Sequence, residues 1–89
     1  MVEKQITIIN KLGLHARAAA KLINTTSRFS ADIRLNKDGR EVDGKSIMAV
    51  MMLAASKGTT LLISAEGSDE LQALEAIETL INNRFDEEE

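Results

Sequence analysis

Polar and apolar positions alternate with a period of two over Gln5-Ile6-Thr7-Ile8-Ile9, where Ile6 and Ile8 share one face. Such alternation predicts a half-buried strand. The pattern returns where Ile33 and Leu35 interleave with Asp32, Arg34 and Asn36, and again over Thr59 to Glu66, with Leu61, Ile63 and Ala65 facing one way. Asp38-Gly39 is a two-residue hairpin signal, so Arg40 to Asp43 is predicted to return as a short strand. Elsewhere the period lengthens to that of a helix. From Ala16 the chain turns helical, with Ala19, Ile23 and Thr26, joined by Ala20 and Leu22, as its less polar stripe, and it fades near Ser27-Arg28. Ser46 stands in the N-cap position before the apolar run Ile47 to Ala55, and Lys57-Gly58 is predicted to end that helix. Gly67-Ser68-Asp69-Glu70 opens a third helix with acids against its positive end, its stripe being Ala73, Leu74, Ile77, Leu80 and Ile81. The closing Asp86-Glu87-Glu88-Glu89 reads as a frayed, solvated end.

The predicted order is therefore βαββαβα. Strands with one polar face favour antiparallel pairing, with all helices on the other face. The expected fold is an α+β open-faced two-layer sandwich: a four-stranded antiparallel sheet carrying three helices.

Composition narrows the chemistry. With 89 residues the chain suffices for one domain, residues 1–89. Without cysteine it can form neither disulfides nor thiolate metal sites, and a core built around Phe29 and Phe85 must otherwise be aliphatic. The first residues have no apolar h-region, so no signal peptide is expected, and no apolar run approaches a membrane span. A net charge of -3 argues against binding nucleic acid through a general basic field. A soluble cytoplasmic monomer without cofactor or metal is expected. Covalent chemistry falls to the single histidine or to an activated Ser, Thr or Lys.

Three features compete for function. Residues Gly39 to Ser46 match the P-loop pattern G-x-x-x-x-G-K-[ST] in full. Yet the first glycine lies in a hairpin turn, and Glu41 and Asp43 would put carboxylates where phosphates should sit, so nucleotide binding there is disfavoured. The run Ile47 to Ala55 has no polar residue. If Val50, Leu53 and Ala54 point inward, then Ile47, Met48 and Met51 lie on the surface as a Met-rich docking patch; ordinary packing against a neighbour is the plain alternative. The third feature is His15. A lone histidine is usually structural, but this one follows a Gly-containing loop at a helix start, where free backbone N–H groups point outward. The positive helix end favours a neutral imidazole, the amides of Ala16 and Arg17 can bind an attached phosphate, and the Arg17 guanidinium can pair with phosphoryl oxygens. No general base is visible nearby, and transfer between imidazoles needs none.

On these residues the sequence resembles HPr, the histidine phosphocarrier of the bacterial phosphoenolpyruvate-dependent phosphotransferase system. The resemblance runs nearly end to end and is strongest at Gly13-Leu14-His15-Ala16-Arg17 and Lys45-Ser46-Ile47-Met48. It implies the same βαββαβα sandwich, a carrier rather than an enzyme, and transfer from phosphorylated enzyme I to Nδ1 of His15, then to enzyme IIA-type proteins in sugar uptake and its regulation. It implies docking through Ala20, Ile47, Met48 and Met51, and Ser46 as a regulatory site in organisms with the HPr kinase/phosphorylase. Two departures stand out. Ala18 replaces the family's usual proline, and Asn24 and Ser27 replace basic residues, leaving the positive surface to Arg17, Lys21, Arg28 and Lys45. The Asn10-Lys11 loop and the acidic tail resemble the nitrogen-related branch, NPr. The alternative function is accordingly a regulatory interaction module of that branch, controlled through Ser46.

Overall fold

Each strand has one greasy edge of side chains, and the structure aligns those edges. The computed structural model describes all residues, Met1–Glu89. Its elements are β1 (Val2–Thr7), α1 (Ala16–Thr26), β2 (Asp32–Lys37), β3 (Arg40–Asp43), α2 (Ile47–Met51), β4 (Thr60–Glu66) and α3 (Glu70–Asn82), closed by a 3-10 turn over Arg84–Asp86. The sheet is antiparallel in the order β1-β4-β2-β3. Register keeps core residues opposite core residues: Ile6 faces Leu61, Ile33 faces Ala65, and Leu35 faces Ile63. A slip by one residue would turn all of these to water. The βαββαβα sandwich predicted from periodicity is thus the fold observed.

The helices cover that apolar face. Ala18, Ala19 and Leu22 of α1, Val50 of α2 and Ala73, Leu74, Ile77 and Ile81 of α3 are buried there. The stripe of α1 is turned slightly from the predicted one: Ala20 is exposed and Ile23 half-buried, while Ala18 and Thr25 face inward. Leu80 of α3 is likewise only half-buried. β1 begins earlier than predicted and ends at Thr7, leaving Ile8 in the core and Ile9 exposed. The hairpin is as expected, with Asp38 and Gly39 both at positive φ, 52° and 89°.

The second helix is much shorter than its apolar run. It stops at Met51, and Ala54, predicted to point inward, is exposed with φ 51°, while Ala55 is buried instead. The cause is tertiary. The carbonyl groups of the segment that follows are held by distant parts of the chain: Lys37 Nζ donates to Leu53 O at 2.9 Å, Arg40 Nη1 to Met52 O at 3.4 Å, and Leu14 N to Ala55 O at 2.8 Å. Gly58, at φ 93°, belongs to a later turn and does not cap the helix. In α3, Asp69 holds the N-cap position, but its carboxylate accepts from the N–H of Ser30 and Ala31, each at 2.9 Å. Those bonds, Ser30 foremost, hold its carboxyl below the usual aspartate range.

The P-loop resemblance dissolves in this fold. Residues 40–43 are strand, Gly44 N donates to Ile33 O at 2.7 Å, and Lys45 Nζ donates to Phe29 O at 2.6 Å. No amide cradle forms. No helix is long and apolar enough to cross a membrane.

Candidate functional site

The loop before α1 is shaped by two residues. Gly13 has φ 69°, and a Cβ there would lie 2.7 Å from Ala55 O, so only glycine fits between this loop and the Ala55-Ser56 backbone. Asn10 is fully buried and donates through Nδ2 to Gly13 O at 2.7 Å. Leu14 is buried as well and pins the chain to the core. His15 is then delivered at the N-cap position with extended backbone, φ -75° and ψ 178°. Its side chain does not cap the helix. The amides of Ala16, Arg17 and Ala18 therefore have no partner in the turn, the first helical bond being Ala19 N to His15 O at 2.8 Å.

His15 lines an open depression of about 610 Å³ with Lys11, Leu12, Ala16, Arg17 and the acids Glu87 to Glu89. Arg17 is exposed and takes part in none of the chain's five ion pairs. Of the other expected cations, Lys21 Nζ donates to Phe85 O at 2.7 Å and Arg28 Nη2 to Thr25 Oγ1 at 3.3 Å. With Lys45 on Phe29 O, much of the basic surface is tied to carbonyl groups, and Arg17 is the one left free beside His15.

Two expectations fail here. The acidic tail is not frayed: Phe85 is fully buried, Lys11 N donates to Glu89 O at 2.6 Å, and Glu87 turns back over the site. A titratable partner does stand beside the histidine, because the Glu87 carboxylate is hydrogen-bonded to His15 Nε2 through Oε2 and to Asn10 Nδ2 through Oε1, the latter at 3.0 Å. The hydrogen bond from the Asn10 N–H, then that from His15 and the nearby Lys21 ammonium, outweigh burial and hold the Glu87 carboxyl below the usual range. Nothing in the tail's composition signalled this. Acids at a chain end look alike whether solvated or folded back, and only the buried Phe85 hints at an anchor.

The second cluster lies on α2, which packs against α1. Met48 is 72% exposed, Met52 60%, Met51 42% and Ile47 40%, too much apolar surface for a plain core helix. Ser46 is half-buried, and its hydroxyl accepts from Ala49 N at 3.3 Å, the N-cap bond expected. Ala20 is exposed on α1.

Known proteins place this arrangement. Residues 2–83 match the family model PTS-HPr, described as the PTS HPr component phosphorylation site. Phosphocarrier protein HPr of Pseudomonas aeruginosa is 59% identical over 86 residues, covering 96% of each chain. Phosphocarrier protein HPr of Xylella fastidiosa is 51% identical over 88 residues, covering 99% of each. A crystal structure of HPr from Thermoanaerobacter tengcongensis superimposes with a TM-score of 0.97 at 47% identity, covering all of both chains. These relatives are named as carriers rather than enzymes. The chain belongs to the HPr family, the phosphocarrier proteins of the phosphotransferase system.

Proposed function

We propose that the protein accepts a phosphoryl group from phosphorylated enzyme I onto His15 and passes it to enzyme IIA-type proteins in the cytoplasm. One observation carries the reading: the only imidazole of the chain stands at the opening of α1 with three unpartnered amides and a free guanidinium around it. Its Nε2 is taken by Glu87, and Nδ1 makes no hydrogen bond to protein, so Nδ1 is the nitrogen with an available lone pair. The Arg17 guanidinium and the amides of the exposed Ala16 and Arg17 would bind the phosphoryl oxygens. Incubation with phosphoenolpyruvate and enzyme I, followed by intact mass, is expected to add one acid-labile phosphoryl group. A chain that gains none, or gains an acid-stable one, overturns the reading. Arg17→Ala should slow acceptance by roughly three- to tenfold without abolishing it, because the amides remain.

The exposed Ile47, Met48 and Met51, with Ala20 nearby on α1, form the docking surface in this proposal, and Met52 extends it. Met48→Asp should weaken binding to enzyme I by about tenfold or more while shifting stability by less than about 0.5 kcal/mol, since the residue is 72% exposed. Calorimetric titration with enzyme I reads the first quantity and a melting curve the second. Unfolding of the variant would mean that Met48 is core.

A regulatory reading through Ser46 is favoured by its position, at the cap of α2 and directly before Ile47 and Met48. A phosphate there adds a charge of about -1.5 to -2 at the rim of the patch and repels an acidic partner. Ser46→Asp is expected to keep the parent's melting temperature or raise it slightly, and to slow phosphorylation by enzyme I, with the deficit shrinking as salt rises. Unchanged transfer at low salt would leave Ser46 a cap only.

A further inference from the structure

The carboxylate beside His15 is built, not incidental. Phe85, fully buried, anchors the chain two residues before it, and Lys21 Nζ holds the Phe85 carbonyl at 2.7 Å. Glu89 is tied on the other side by the Lys11 N–H at 2.6 Å and the Lys11 Nζ at 3.3 Å. The Asn10 amide faces two acceptors at once, Gly13 O at 2.7 Å and Glu87 Oε1 at 3.0 Å, so its Nδ2 must point there; a flip would set oxygen against both. Asn10, inside the fold, thus fixes one oxygen of Glu87 and leaves the other for the imidazole. An ionised carboxylate only accepts hydrogen bonds, so the nitrogen that meets it must carry the hydrogen.

We propose that Glu87 is a positioning residue for phosphoryl transfer, holding His15 as the Nε2–H tautomer and stabilising the positive charge that its ring acquires when Nδ1 takes up phosphate. This rests on His15 being the phosphoryl acceptor. In the step, the Nδ1 lone pair forms the N–P bond while the bond from phosphorus to the donor's histidine nitrogen breaks, and that electron pair returns to the donor ring. No proton moves. His15 keeps the hydrogen on Nε2, and its ring becomes formally cationic against the Glu87 carboxylate. On the return, the same carboxylate keeps the ring in the form that leaves as neutral imidazole. A carboxylate orienting a histidine by this logic is a general device, here supplied by the half-buried Glu87.

The test pairs nitrogen-15 NMR of the His15 ring with phosphorylation rates, on the full chain as parent, Glu87→Gln and Glu87→Asp. The parent should show a single Nε2–H tautomer. Glu87→Gln, whose amide can donate or accept, should show a mixture of tautomers and a kcat for acceptance about tenfold lower, the effect of losing one charge-assisted bond. Its KM for enzyme I and its melting temperature should match the parent's, and Glu87→Asp should restore part of the rate. A parent with mixed tautomers overturns the proposal, as does a Glu87→Gln variant that transfers at the parent's rate. A faster variant overturns it too, since Glu87 would then be a brake. If the parent accepts no phosphate, the carrier reading falls, and the tautomer spectra still decide whether Glu87 orients the ring.

Discussion

His15→Ala is expected to abolish acid-labile phosphorylation by enzyme I while leaving the fold in place. The chain has no second imidazole, and no cysteine or tyrosine to take over as nucleophile. Loss of the attacking nitrogen should therefore lower acceptance by at least about 10³-fold, to background. Stability should hardly change. The His15 side chain is 27% exposed, and the pair with Glu87 is its one polar contact. A part-exposed pair of this kind is worth about 0–1 kcal/mol, and the Glu87 carboxylate keeps its Asn10 bond when the ring is gone. Intact mass after incubation and a melting curve read the two halves of this expectation. A His15→Ala chain that still takes phosphate from enzyme I would remove the histidine from the mechanism altogether.

Phe85→Ala should produce the largest loss of stability of any substitution near the site. Phe85 is fully buried, and truncating such a ring costs about 3–5 kcal/mol. Its backbone makes the position more sensitive still. Arg84, Phe85 and Asp86 all sit at positive φ, 56°, 53° and 64°, which costs an L-residue about 1–2 kcal/mol each. Burial of the ring and the Lys21 bond to Phe85 O offset that strain. Without the ring the turn has little to hold it, and the tail should swing away from His15. A drop in melting temperature of roughly 15–30 °C is expected for a domain of this size, less if the tail detaches by itself. Loss of the Glu87 contact, seen as a return of His15 to mixed tautomers, should accompany it. A variant within about 1 kcal/mol of the parent, with the tautomer unchanged, would show that Phe85 is not what anchors the tail.

Much of the molecule follows from local pattern. Alternation over Ile33 to Asn36 and Leu61 to Ala65 predicts strands because successive side chains in a strand must point to opposite faces. Asp38-Gly39 predicts its hairpin because that turn needs positive φ, which these residues tolerate. The setting of His15, after Gly13 and before a helical stretch, was legible for the same reason: a helix start always exposes amides. Ser46 as a cap and Met48 and Met51 as surface were legible too, the latter because a two-layer domain cannot cover both faces of an apolar helix.

What pattern could not decide are the contacts between distant segments. An apolar run from Ile47 to Ala55 carries no local stop, so the end of α2 at Met51 goes with Lys37, Arg40 and the Leu14 N–H holding the carbonyl groups of Met52, Leu53 and Ala55. The acids of the tail carry no local clue to their place, and Glu87 reaches His15 across most of the chain because Phe85 finds a hole in the core. The fold class and the placing of His15 at a helix start follow from the residues alone, through propensities that act within a few positions. Tertiary structure alone decided where the second helix stops and which carboxylate meets the histidine, because both depend on partners far away along the chain.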